Sequence, residues 1–136
     1  MRRGVLVAAS VALALGGCGG DGGDKPGKNA KRYFGDQRDV AQVVDNLVAA
    51  SRSGDTKKIC SEIFTVRFEK SVAAQAGGSC EAQVKRQLAV PGEDITIQQL
   101  AISGTRALAT VKEQTGKTSR LVFVRVDGGW RIDSIA

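Results

Sequence analysis

An α+β domain, with N-terminal helices packed on a curled four-stranded antiparallel sheet, follows from three observations in the sequence. Apolar residues recur at helical spacing from Val40 to Leu88, and from Asp94 onward the period changes to two. The four period-two runs are joined by short connections containing glycine, as antiparallel hairpins require. Helices first and strands after place the helices on one face of the sheet.

The chain opens with MRRGVLVAASVALALGGCGG. Arg2 and Arg3 form a basic start, Val5 to Leu15 an apolar run, and Gly16 and Gly17 precede Cys18. The apolar run falls short of the roughly 18 to 20 residues that cross a bilayer. Leu15-Gly16-Gly17-Cys18 resembles the lipobox of a bacterial lipoprotein. The resemblance implies a signal peptide over residues 1–17, and a mature N-terminus at Cys18 carrying acyl chains such as palmitate. It also implies a cell-envelope location, lipid-anchored at the extracytoplasmic face of the cell membrane. Two or more acyl chains hold firmly where one does not.

Loss of Arg2 and Arg3 with the leader lowers the net charge from +6 to +4. That balance favours solubility and mild attraction to anionic surfaces, and nothing beyond it points to nucleic acid. Residues 18–37 are rich in glycine and charge, including Lys25, Lys28, Lys31 and Arg32, and read as a flexible tether. The lipobox takes one of three cysteines, which leaves Cys60 and Cys80. In an oxidising compartment that pair is expected to form a disulfide, worth about 3 kcal/mol for a loop of about twenty residues. No histidine and no Cys-x-x-Cys occur, so a metal site is not expected.

The folded region, residues 38–136, begins with a helix whose apolar face is Val40, Val43, Val44, Leu47 and Val48, with Asp36 as expected cap and Gly54 as stop. A second helix starts at Asp55 and places Ile59, Cys60, Ile63 and Phe64 on one side. Phe68, Val72 and Ala76 mark a third, ended by Gly77-Gly78. Ser79 caps a fourth, with Cys80, Val84 and Leu88 on one face and Pro91-Gly92 beyond. In the first strand Ile95 and Ile97 lie on one parity and Leu100 and Ile102 on the other, a slip at Gln98-Gln99 that predicts a β-bulge. Strands through Ala107–Val111, Leu121–Val126 and Trp130–Ile135 complete the meander.

The run VVDNLVAASRSGDTKKICSEI, then GGSC, and the ending LVFVRVDGGWRIDSI together resemble the NTF2-like (SnoaL-like, ketosteroid isomerase-like) superfamily, in particular small actinobacterial lipoproteins. The resemblance implies a cone whose open end holds an apolar pocket. It carries no catalytic signature.

Candidate chemistry is sparse. Gly17-x-Gly19-x-x-Gly22 straddles the expected cleavage site and follows no strand, and Gly116-Lys117-Thr118 joins two strands, so neither is a nucleotide-binding loop. Asp94, Glu113 and Asp127 fall at strand ends or turns and read as solvated. Asp133 is expected to pair with Arg131 or Arg125. Trp130, Phe123 and Phe64 are the candidate pocket lining. No catalytic residue, metal ligand or cofactor is assigned. Leu121 and Phe123 face one way and Val122, Val124 and Val126 the other, so the second sheet face is expected to be covered, by a homodimer packed sheet to sheet. The sequence therefore reads as a membrane-anchored lipoprotein with a non-enzymatic head that binds a small ligand or an envelope protein. The alternative is an isomerase- or cyclase-like enzyme using a pocket carboxylate.

Overall fold

The computed structural model describes residues 25–75, 77–87 and 94–136. The signal segment, Cys18, the first part of the tether, Ala76, Leu88 and Pro91-Gly92 lie outside the described residues. Helix α1 (Gly35–Ser53) buries Val40, Ala41, Val44, Leu47, Val48 and Ala50, the stripe its periodicity predicts. Asp36 does not cap it: the carboxylate reaches across to Arg125, and the capping position is Phe34 with no side-chain bond. Gly54 closes the helix, and Asp55 N–H returns to the Ala50 carbonyl at 2.9 Å.

Asp55 Oδ1 then accepts from Lys58 N–H and starts α2 (Thr56–Lys58), which widens at once into a π-helical turn over Ile59–Ile63. The wider turn buries Ile59, Cys60 and Ile63 together. Helix α3 (Val66–Gln75) is capped by the Thr65 hydroxyl, a cap not singled out from the sequence, and α4 (Cys80–Gln87) by Ser79, as the sequence indicates. Cys60 and Cys80 form the expected disulfide, with Cα atoms 6.1 Å apart. It ties the π-turn to the first residue of α4.

Strands β1 (Ile95–Ser103), β2 (Arg106–Glu113), β3 (Thr118–Val126) and β4 (Gly129–Ile135) pair antiparallel in sequence order. The bulge in β1 falls at Gln98, between Ile97 and Gln99, so Ile95, Ile97, Leu100 and Ile102 all join or pack against the core. A second irregularity sits in β4, where Phe123 faces Ile132 and Val122 faces Ser134, leaving Asp133 between them. The β3–β4 turn has positive φ at both Asp127 and Gly128, matching the right-handed twist of the strands.

Both sheet edges are covered. Phe64 pairs with Ile132 in a parallel bridge, and Thr65 N–H donates to the Ile132 carbonyl at 2.9 Å, which extends the sheet beyond β4. At the other edge lie residues that the sequence assigns to the tether. Asn29 and Ala30 are fully buried, Ala30–Arg32 form a 3-10 turn, and Arg32 donates to the Ile97 carbonyl. Residues 27–32 are therefore a docked arm that caps the exposed edge of β1. Gly27 is needed for the approach, since a Cβ there would stand 2.4 Å from Asp45 Cγ.

The outer face of the sheet carries Ala101, Leu108, Val122, Val124 and Val126 beside Arg106, Lys112, Arg120 and Arg131. Leu108 is 43% exposed.

Candidate functional site

The register sorts the inner face of the sheet into two ends. Toward the β1–β2 and β3–β4 turns lie Ala107, Phe123, Ile132 and Trp130; toward the β2–β3 turn lie Ile95, Val111, Glu113, Ser119 and Leu121. The first end is closed. Phe123, Phe64 and Trp130 are buried core residues, with Phe64 packed against Phe68 in a tilted arrangement at 4.6 Å between ring centroids and Arg125 lying 4.8 Å over the Trp130 ring. These three aromatics, the candidate pocket lining of the sequence, belong to the hydrophobic core at this end of the sheet.

The second end is open. A cleft of about 380 Å³ lies between α1, the end of α4 and the concave sheet, lined by Leu47, Gln87, Ile95, Val111, Glu113, Lys117, Ser119, Leu121 and Ile135. Its floor is Leu47, Val111 and Leu121, all buried, and its rim is Ile135, Lys117 and Gln87. The volume falls at the small end of the roughly 300 to 1,000 Å³ range of small-molecule sites. Alternation along β2 and β3 directs Glu113 and Ser119 inward, and Ser119 Oγ donates to Glu113 Oε1 at 3.3 Å. A half-buried carboxylate thus sits beside a hydroxyl on an otherwise apolar wall. Glu113, read from sequence as a solvated hairpin end, is the carboxylate that faces the cleft.

Asp133 is buried and engaged elsewhere. Its Oδ1 accepts from Thr65 Oγ1 at 2.8 Å and from Arg67 Nε at 3.2 Å, and Arg67 also donates to the second carboxylate oxygen and to the Asp133 carbonyl. The sequence paired Asp133 with Arg131 or Arg125; the bulge turns it toward α3 instead, while Arg131 donates to the Ser61 carbonyl and Arg125 holds Asp36. Hydrogen bonding from Arg67, then from Thr65, pulls the Asp133 carboxyl below its ordinary pKa against the opposing effect of burial. The folded state therefore holds this proton less tightly than the unfolded chain. The network stabilises fully above about pH 4 and is lost as pH falls through the lowered value. Asp133→Asn should cost about 1 to 2 kcal/mol at neutral pH, the exposed side of Arg67 limiting the loss. The gap between variant and parent should shrink in acid, read by urea unfolding across pH. A constant gap would show that the charge plays no part.

Among the described residues no group of three or more histidine, cysteine or carboxylate side chains is placed to hold a metal ion. No helix among them is long and apolar enough to cross a membrane.

No protein-family model matches the chain, and no curated protein does. Among solved structures it is similar to the crystal structure of an NTF-2 like protein of unknown function from Silicibacter pomeroyi. The TM-score is 0.52 at 18% identity, over 71% of this chain and 89% of that one. The likeness concerns the fold: helices on an unclosed, curled four-stranded antiparallel sheet, the NTF2-like arrangement.

Proposed function

We propose that the chain is a membrane-anchored extracytoplasmic lipoprotein whose head binds a small, largely apolar ligand in the cleft between α1 and the concave sheet. The observation that carries the binding reading is the cleft itself, an apolar floor with one carboxylate–hydroxyl pair, Glu113 and Ser119, on its wall. That pairing suits a ligand whose apolar body covers Leu47, Val111 and Leu121 and whose hydroxyl or amine donates to Glu113. The location reading rests on Leu15-Gly16-Gly17-Cys18, and the Cys60–Cys80 disulfide supports it, because such bonds persist in oxidising compartments.

Binding is favoured over catalysis by the cleft's chemistry. The isomerase pattern needs a carboxylate base together with an acid held neutral nearby. Glu113 is the one carboxylate among the described lining residues, and its described polar companions are Ser119, Lys117 and Gln87. Asp133, the acid singled out from the sequence, is taken up by Thr65 and Arg67.

Native mass spectrometry of the full chain released from host membranes tests the reading. The parent should carry a small non-covalent ligand. Ile135→Trp, which blocks the rim without touching the floor, should lose it, and Glu113→Gln should weaken retention about tenfold by removing a charged acceptor. Equal retention in all three chains would remove the cleft as the site.

A further inference from the structure

The most exposed of the large apolar side chains among the described residues is Phe34, at 85%. It is not part of a loose tail. On one side the 3-10 turn Ala30–Arg32 is fastened by the buried Asn29 and Ala30; on the other α1 starts at once, with Arg38 N–H donating to the Phe34 carbonyl. The phenyl ring is thus held outward on a fixed support. Lys25, Lys28, Lys31, Arg32 and Arg38 surround it in sequence, against Asp36 and Asp39; Asp36 is engaged by Arg125, Arg32 by the Ile97 carbonyl and Lys28 by the Thr96 hydroxyl, and Lys25, Lys31 and Arg38 are exposed cations of the flank. An exposed aromatic ring with a basic flank suits the boundary between anionic headgroups and acyl chains.

Chain length brings this edge to a membrane. Because the arm is docked, six residues separate Lys25 from Cys18, and the seven steps of chain between the two span at most about 25 Å whatever their path. A head held that close meets the bilayer with whichever surface lies nearest the arm. We propose that Phe34 and its basic flank form a docking edge that lays the head on a surface of anionic phospholipid, the ring entering the headgroup region and the cations meeting phosphate. The proposal rests on the anchoring reading above for its geometry, and the two fail separately.

The lipidated full chain carrying Phe34→Trp is reconstituted into phosphatidylglycerol-containing vesicles with brominated acyl chains. Intact mass at Cys18 tests the anchor; emission tests the docking. The introduced indole should lose most of its emission to bromine, while the parent, whose Trp130 is buried in the core, should lose none. Unquenched emission from the introduced indole, or equal quenching in purely zwitterionic vesicles, would overturn the docking edge. Should Cys18 carry no lipid, the anchoring reading falls, and cosedimentation of the unlipidated chain with phosphatidylglycerol vesicles decides the docking. There Phe34→Ser should lower partitioning about tenfold, and joint reversal of Lys25 and Lys31 to Glu by about tenfold more. Absence of parent binding, or binding indifferent to these changes, would overturn it. Phe34, Lys25 and Lys31 are exposed, so an unchanged melting temperature serves as the folding control.

Discussion

Joint replacement of Cys60 and Cys80 by alanine is expected to lower the unfolding free energy by about 3 kcal/mol, the entropy restored to the unfolded chain when a loop of about twenty residues opens. Domains of this size have about 5 to 15 kcal/mol in all, so the midpoint should fall by roughly 10 to 20 °C. The effect should also be local. Helix α4 buries Cys80 and Val84 among its described residues, so the disulfide is a large part of what holds it to the π-turn. Gln87 at its end stands on the rim of the cleft. Hydrogen exchange in α4 should therefore rise before the sheet opens, and ligand retention should fall with it. Adding reductant to the parent should reproduce the variant's melting curve. A loss below about 1 kcal/mol would mean that packing alone holds α4, or that the unfolded chain keeps the two segments together.

The features legible in the sequence are those encoded by local spacing. The period change at Asp94, the glycine turns, the slip at Gln98 and the caps at Asp55 and Ser79 each involve residues within a few positions of one another. Inward placement of Ser119 could be read from its alternation with Leu121 and Phe123. What escaped the reading depends on partners far along the chain. Asp133 changes partner because a bulge alters strand parity, and that bulge has no mark as clear as the apolar slip in β1. Glu113 shares the inward parity of Ala109 and Val111, but that a cleft lies there, with Ser119 beside the carboxylate, depends on the pairing of β2 with β3 and on α1 and α4. The aromatics are marked in the sequence by residue type alone, whereas the fold buries them in its core. The arm is the least legible element of all. Its composition is that of a solvated linker, and its buried polar residue, Asn29, finds its partners at Asp45, Ile95 and Ile97.

Asn29→Ala is expected to be among the most damaging single substitutions in the chain, at about 3 kcal/mol. The side chain is 1% exposed and places three hydrogen bonds of 2.9 Å. Its amide nitrogen donates to Asp45 Oδ1 and to the Ile95 carbonyl, and its oxygen accepts from Ile97 N–H. It thus completes the free edge of β1 just before the bulge, as a neighbouring strand would. Truncation leaves a buried N–H and C=O without partners, and unsatisfied buried groups cost more than a made hydrogen bond returns. Asp45 loses one donor but keeps the backbone N–H groups of Asn29 and Ala30, so Asp45→Ala should release the same arm by a different route. A double-mutant cycle should then show the pair costing clearly less than the sum of the two singles. Asn29→Asp sharpens the test. A carboxylate there still accepts from Ile97 N–H but faces the Asp45 carboxylate and the Ile95 carbonyl with no proton to give. It should destabilise at least as much as alanine at neutral pH and partly recover in acid, where the introduced group regains a donor. Lys31→Ala, on the same turn but exposed, should stay within about 0.5 kcal/mol of the parent. If Asn29→Ala matched it, the arm would be resting on β1 without contributing to the fold. With the arm released, the free tether after Cys18 grows from the six residues before Lys25 to the sixteen before α1, and Phe34 loses the fixed support that presents it. Loss of stability and loss of vesicle contact should therefore appear together in this one variant, while Phe34→Ser separates them.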